Sequence, residues 1–193
     1  MKISHQLLNG EKNLFKPSWE IKHLFIGTFN PEGGQPVNYY YGRESNYFWK
    51  VISKIFNDSF DPYSCNNLSL FFDKLIKHGI GCVDMIKSVE FDENIVKEND
   101  INGNGYNDSK IINNKVLREY STGEILSIIK QNPNVKIYTT WGKGQKLREW
   151  TDEIDKLSHD IINLKSPSRA ARVPMGCAKF DYILEDWSNK IDI

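Results

Sequence analysis

The sequence predicts an α/β fold: three layers, α/β/α, around a central four-stranded, mainly parallel sheet. Three observations predict it. Short apolar or β-branched runs of strand length alternate with stretches whose apolar residues recur at helical spacing. The first run, Leu24-Phe25-Ile26, is continuous rather than alternating, as in a strand covered on both faces. The strand-like runs also end in polar or glycine- and proline-bearing turns. At 193 residues the chain is long enough to bury a sizeable core. One domain, 1–193, is expected, with residues 1–20 as an N-terminal tether packed against the body through Pro17 and Trp19.

The elements follow in order. Strand one is expected over His23 to Phe29 and ends in the turn Asn30-Pro31-Glu32-Gly33-Gly34. Pro31 fixes a backbone angle and biases Asn30 away from helix. After a loop carrying Tyr39-Tyr40-Tyr41, Ser45 is a plausible helix N-cap. Phe48, Trp49, Ile52 and Ile55 then recur at helical spacing over Asn46 to Phe56. Leu68 to His78 is a second helix, stopped by Gly79, and Ile80 to Met85 a second strand. Residues 87–108 are polar and rich in Asn, Asp and Gly, too long for a plain connection. Ser121-Thr122-Gly123-Glu124 resembles a capping box opening a helix to about Gln131. Val135 to Thr140 is a third strand, Gly142 to Glu149 a helix, His159 to Leu164 a fourth strand, and Cys177 to about Lys190 a last helix.

Composition narrows the function. The apolar runs are only a few residues long, so no membrane span is expected. Met1 to Gly10 has no apolar core of a secretory signal, so a cytoplasmic protein is expected. Cys65, Cys82 and Cys177 form no CxxC pair, and the four histidines lack ligand spacing, so neither metal nor other cofactor is expected. Formal net charge is zero, which argues against a nonspecific DNA coat. Two local groups of cations remain: Lys136, Lys143, Lys146 and Arg148, then Lys165, Arg169, Arg172 and Lys179. A solvated face is the simple account of each. No P-loop, GxGxxG or GxSxG motif occurs.

In the expected layout four strand ends meet on one edge: Asn30-Pro31, Asp84, Trp141-Gly142 and Ser166-Pro167-Ser168. That edge carries amide, carboxylate, hydroxyl and aromatic groups. At these residues the chain resembles the uracil-DNA glycosylase superfamily, closest to its mismatch-specific and hypoxanthine-DNA glycosylase branches. Gly27-Thr28-Phe29-Asn30-Pro31, followed by Tyr40-Tyr41-Gly42-Arg43 and Asn46-Tyr47-Phe48-Trp49-Lys50, resembles the first motif region. Gly79 to Ser88 and the segment to Ile101 resemble the hypoxanthine branch, Thr140-Trp141-Gly142 the third-strand motif, and Leu164 to Arg169 the second catalytic motif. The similarity runs from about Leu24 to Arg172. Two positions depart from the pattern: Thr28 stands where Gly is common, and Ser166 where efficient uracil enzymes have His.

The resemblance implies a monofunctional, metal-free DNA glycosylase that hydrolyses the N-glycosidic bond of a flipped, deaminated base, hypoxanthine or mismatched uracil. Its partner would be DNA with a damaged or mismatched base, bound by a monomer. Asn30 would position the water, with Asn46 the competitor for water or base. Phe29, Tyr40, Tyr41 and Asp84 would contact the base, with core packing the competing role of the tyrosines and turn capping that of Asp84. Lys143, Lys165, Ser166, Ser168, Arg169 and Arg172 would hold DNA, Arg169 filling the gap left by the base. The alternatives are a non-catalytic DNA- or nucleotide-binding protein of the same fold, and an unrelated α/β hydrolase.

Overall fold

The computed structural model describes residues 1–8, 14–63, 68–102, 108–141 and 147–193. Its centre is a four-stranded parallel sheet, ordered β3-β2-β6-β7 and flanked by helices. The strands are β2 (His23–Gly27), β3 (Ile80–Asp84), β6 (Lys136–Thr139) and β7 (Ile161–Asn163). All five residues of β2 are buried, as the unbroken apolar run requires. Phe25 sets the core on one face. It stacks on Tyr138 at 4.9 Å and Trp187 at 6.0 Å, and meets the edge of Phe48 at 5.2 Å. Phe48 opens α1 (Phe48–Ile55), and Trp187 lies in α7 (Lys179–Ser188), which packs on α1.

From β2 the chain passes through α1 and α2 (Leu68–His78) to β3 on one side. It then crosses to β6 on the other side and continues outward through α6 (Arg148–Asp155) to β7. Connections leaving β2 and β6 therefore run in opposite directions. In such sheets the crevice opens at this reversal, beyond the carboxyl ends of the strands.

The sequence does not foresee a second sheet. β1 (Lys2–Ser4), β4 (Ile86–Phe91) and β5 (Val116–Tyr120) form an antiparallel sheet ordered β1-β4-β5. Ser4 stands opposite Ser88, so the expected tether is in part a strand. The expected loop 87–108 begins with most of β4 and also carries α3 (Glu98–Asn102), with α4 (Asp108–Ile111) at its end. The helix α5 (Thr122–Gln131) opens at Ser121 as expected, but no side-chain capping bond forms there. The Ser121 hydroxyl instead donates to the Asp84 carbonyl at the end of β3. The helix expected over 142–149 starts at Arg148; residues 142–146 lie outside the described residues. Among the described residues no helix is long and apolar enough to cross a membrane.

Helix α2 has the expected limits. Lys77 and His78 complement the negative end of its dipole. Gly79 follows at φ +61°, where a side chain would be strained and would press on Lys22. Asp58 clamps the preceding loop to this helix, receiving Lys74 at 3.2 Å and Lys77 and His78 each at 3.0 Å. The His78 and Lys77 hydrogen bonds hold its carboxyl well below the usual carboxylate range. A depressed carboxylate stabilises the fold above its unfolded pKa and loses that contribution as pH falls. Asp58→Ala is expected to cost about 1–2 kcal/mol at pH 7, shrinking below about pH 4. Urea denaturation of both proteins at several pH values measures it; a cost independent of pH would remove the clamp.

Candidate active site at the sheet's carboxyl edge

The carboxyl ends of the strands surround a cavity of about 130 Å³. That is close to the ~150 Å³ that admits a benzene ring in an engineered protein cavity. Its wall takes Phe29 and Asn30 from the turn after β2, Asp84 from β3, Thr140 after β6, and Ser166–Ser168 after β7. Tyr41, Arg43 and Asn46, from the loop before α1, complete it. A larger hollow of about 670 Å³ runs along β7, but its Ser158, His159 and Asp160 are all exposed. Buried polar groups converge only slightly there, whereas Asp84 is 2 % exposed in the smaller cavity.

The turn after β2 is held from both sides. Gly27 and Thr28 carbonyls accept the Met85 and Ile86 amides. The Asn30 carbonyl accepts the Gln6 amide at 2.9 Å, and the Glu32 amide donates to Ser4 at 2.7 Å. The N-terminal segment thus straps the turn in place. Within this frame the Asn30 Nδ2 donates to Asp84 Oδ2 at 3.2 Å. The nitrogen must face the carboxylate, which leaves the side-chain oxygen, Asn30 Oδ1, as an acceptor for a ligand. His5, fully buried, meets the same Asp84 oxygen through Nε2 at 2.8 Å.

Gly27 makes this approach possible. A Cβ there would collide with Asp84 Oδ1 and come within 2.8 Å of the Tyr41 hydroxyl. Tyr41, at φ 55°, stacks on Phe48 at 3.9 Å and shares a 2.9 Å hydrogen bond with the Thr140 hydroxyl. Asn46 makes a different use of its amide: its Oδ1 accepts the Phe48 amide at 2.9 Å and opens α1. This role replaces the capping expected of Ser45, which is exposed. Asn46 keeps its amide N–H groups, which are donors.

Across the cavity, Ser166 Oγ accepts the Ser168 amide and Ser168 Oγ accepts the Ala170 amide. In these two bonds the hydroxyls act as acceptors, so each still has a hydrogen to donate. The turn is fixed to α1 by the Tyr47 amide, which donates to the Pro167 carbonyl at 2.9 Å.

The structure brings together most of the expected residues: Asn30, Asn46, Phe29, Tyr41, Asp84, Ser166 and Ser168 line one cavity. Tyr40 is a correction. It is fully buried, its hydroxyl donates to the Phe15 carbonyl at 2.7 Å, and it has no face for a base. Burial, then the nearby Asp84 charge, push that hydroxyl's pKa well up. Lys165 is also turned away: its ammonium sits 3.3 Å over the Tyr182 ring and 3.9 Å from Asp186 of α7. Arg169 and Arg172 are exposed in the chain after the serine turn. Lys143 lies outside the described residues. Phe48 and Trp49 are core, and Glu32 is an exposed loop residue.

The reading of the sequence assigned nothing to His5, Thr140 or Arg43. No local pattern pointed to His5: β1 ends at Ser4, and the chain turns directly after His5. Among the described residues no group of three His, Cys, Asp or Glu side chains comes together as metal ligands.

No protein-family model and no curated protein matches the chain. Among solved structures, it is similar to the solution NMR structure of a "putative Uracil DNA glycosylase from Methanosarcina acetivorans". The TM-score is 0.52 at 16% identity, over 90% of this chain and 95% of that one. At that identity the likeness concerns the fold, a uracil-DNA-glycosylase-like α/β arrangement around the parallel sheet.

Proposed function

We propose that this chain is a hydrolytic DNA glycosylase that releases a deaminated base, hypoxanthine or mismatched uracil, flipped out of DNA. One observation carries the reading. A cavity of about 130 Å³ has the Asn30–Asp84 pair and a hydroxyl-bearing serine turn in its wall. The shared fold with the Methanosarcina protein, and what its name says of it, supports the same reading.

The chemistry asks for few groups. As the N-glycosidic bond breaks, positive charge builds on the sugar and negative charge on the departing base. The acceptor oxygens of Asn30 and Asp84 suit a water aimed at the sugar carbon. The Asn46 amide donors suit the departing base. Phe29 and Tyr41 supply aromatic surface, worth ~1–3 kcal/mol per stacked base. Ser166 and Ser168 suit phosphate oxygens, and Arg169 and Arg172 add charge along the strand. Flipping costs a few kcal/mol, least at mismatched or damaged pairs, which favours those substrates.

The test is a panel of duplexes with uracil, hypoxanthine or xanthine opposite each normal base, at enzyme excess. Release of one or more of these bases, leaving an abasic site without strand cleavage, is expected. Binding should weaken steeply with salt. No release from any duplex overturns the enzyme reading. Salt-dependent binding without release would favour the second reading, a non-catalytic nucleic-acid-binding protein of this fold. That reading draws support from Ser166, a weaker electrophile than the histidine that the resemblance to efficient uracil enzymes would put there.

A further inference from the structure

The least expected feature of the cavity is where its carboxylate is held. His5 comes from the N-terminal segment, 79 residues from Asp84, yet it is fully buried against it. Its ring sits in an aromatic nest, edge-on to Phe15 at 5.0 Å and Phe29 at 5.8 Å and tilted against Tyr40 at 5.5 Å. The Leu7 amide donates to His5 Nδ1 at 3.2 Å. A nitrogen that accepts a backbone N–H carries no proton, so the proton is on Nε2 and points at Asp84 Oδ2, 2.8 Å away.

Asp84 Oδ2 therefore receives two donors, His5 Nε2–H and Asn30 Nδ2–H. The other oxygen, Oδ1, is used by neither of these bonds. That oxygen lies over Gly27 beside the Tyr41 hydroxyl, in the wall of the cavity. A carboxylate pinned by one oxygen cannot rotate to offer the other elsewhere. We infer that His5 is a positioning residue for catalysis: it fixes the Asp84 carboxylate so that Oδ1 is the acceptor that orients the attacking water. This rests on the glycosylase reading and adds to it a third chain segment and a fixed tautomer. Asp84 thereby passes from contacting the base, as the sequence suggests, to orienting the water. The strap that holds the Asn30 turn and the donor that holds Asp84 are one segment, Ser4 to Leu7, so the two polar groups are aligned together. Misplacing a reacting group by about 1 Å can cost ~10²-fold in rate.

Two substitutions separate positioning from packing. His5→Phe keeps the ring in its nest and removes the donor; His5→Gln supplies an amide N–H near the Nε2 position. With a duplex that the wild type cleaves, His5→Phe is expected to lower the single-turnover rate by about 10²-fold. Its affinity for an abasic-site duplex should stay within about threefold, since a carboxylate has no donor to offer phosphate oxygens. His5→Gln should recover at least about tenfold of the loss. A His5→Phe rate within about threefold of wild type, or no recovery with His5→Gln, overturns the inference. A measurement on the unsubstituted protein keeps it apart from the enzyme reading and from any failure to fold. Long-range ¹H–¹⁵N spectra of His5 should show a protonated Nε2 and a bare Nδ1. The opposite tautomer overturns the inference even if bases are released. The expected tautomer in a protein that releases no base would sink the glycosylase reading while leaving the His5–Asp84 contact in place.

Discussion

Asn30→Ala is expected to lower base release by about 10²–10⁴-fold while leaving the fold and DNA affinity nearly unchanged. The turn does not depend on the Asn30 side chain. Its backbone is held by Gln6 on the Asn30 carbonyl and by the Glu32 amide on Ser4. The side chain is half-buried and, among the described residues, makes one hydrogen bond, to Asp84, so its loss should cost about 1 kcal/mol of stability. What disappears is the side-chain acceptor Oδ1 of a residue that lines the cavity, and one of the two donors on Asp84 Oδ2. Asn46→Ala should behave differently. It removes the acceptor for the Phe48 amide at the start of α1, costing about 1 kcal/mol, and an amide donor toward the base. Its rate loss should be smaller than that of Asn30→Ala. Single-turnover rates of the two variants, with thermal melts, rank them. If Asn46→Ala is the more damaging to rate, the water belongs to Asn46 and the assignment of Asn30 fails.

A second large effect concerns stability and lies at the opposite end of the sheet. His23 opens β2, stacks on Tyr138 at 6.0 Å and meets the edge of Phe56 at 5.3 Å. Burial, then the charges of Lys136 and Lys22, lower its pKa from 6.5 to about 4. A histidine depressed in the fold favours the neutral form there. Its stabilisation is fully present above pH 6.5, the unfolded value, and is lost as pH falls from there through about 4. A shift of that size corresponds to about 3 kcal/mol between pH 7 and pH 4. His23→Gln cannot titrate and should flatten the stability curve in that window, even if less stable at pH 7. Denaturant unfolding from pH 7 to pH 4 checks this. Equal slopes for the two proteins would mean that His23 is charged inside the fold. The Asp58 clamp acts lower, below about pH 4, so the two groups can be resolved on one curve.

Much of the molecule was legible beforehand where local pattern and burial agree. Helix α2 has the same limits in the sequence and in the structure, because its apolar stripe ends at a glycine whose φ is positive. Strand β2 was legible because a strand buried on both faces has no polar position to interrupt it. Strands β4 and β5 were not. Neither shows a clean period of two: β4 has a register irregularity between Ile86 and Ser88, and in β5 Leu117 is exposed while the Arg118 side chain is buried. Ser121 and Glu124 have the spacing of a capping box, but a buried carbonyl on Asp84 competes for the hydroxyl and wins it.

The sequence by itself determined the layering, the four parallel strands, and the meeting of the Asn30 turn, Asp84 and the serine turn on one edge. Strand period and chain direction suffice for that. Only the tertiary structure decided which side chains use that edge. Among three consecutive tyrosines, Tyr39 and Tyr40 enter the core and Tyr41, at φ 55°, reaches the cavity. Lys165 follows the aromatic face and carboxylate of α7 rather than the cavity. His5 reaches Asp84 through a strand pairing that no local pattern encodes. The physical reason is common to all three. Periodicity tells a residue which face it takes, while the partner waiting on that face comes from chain that is distant in sequence.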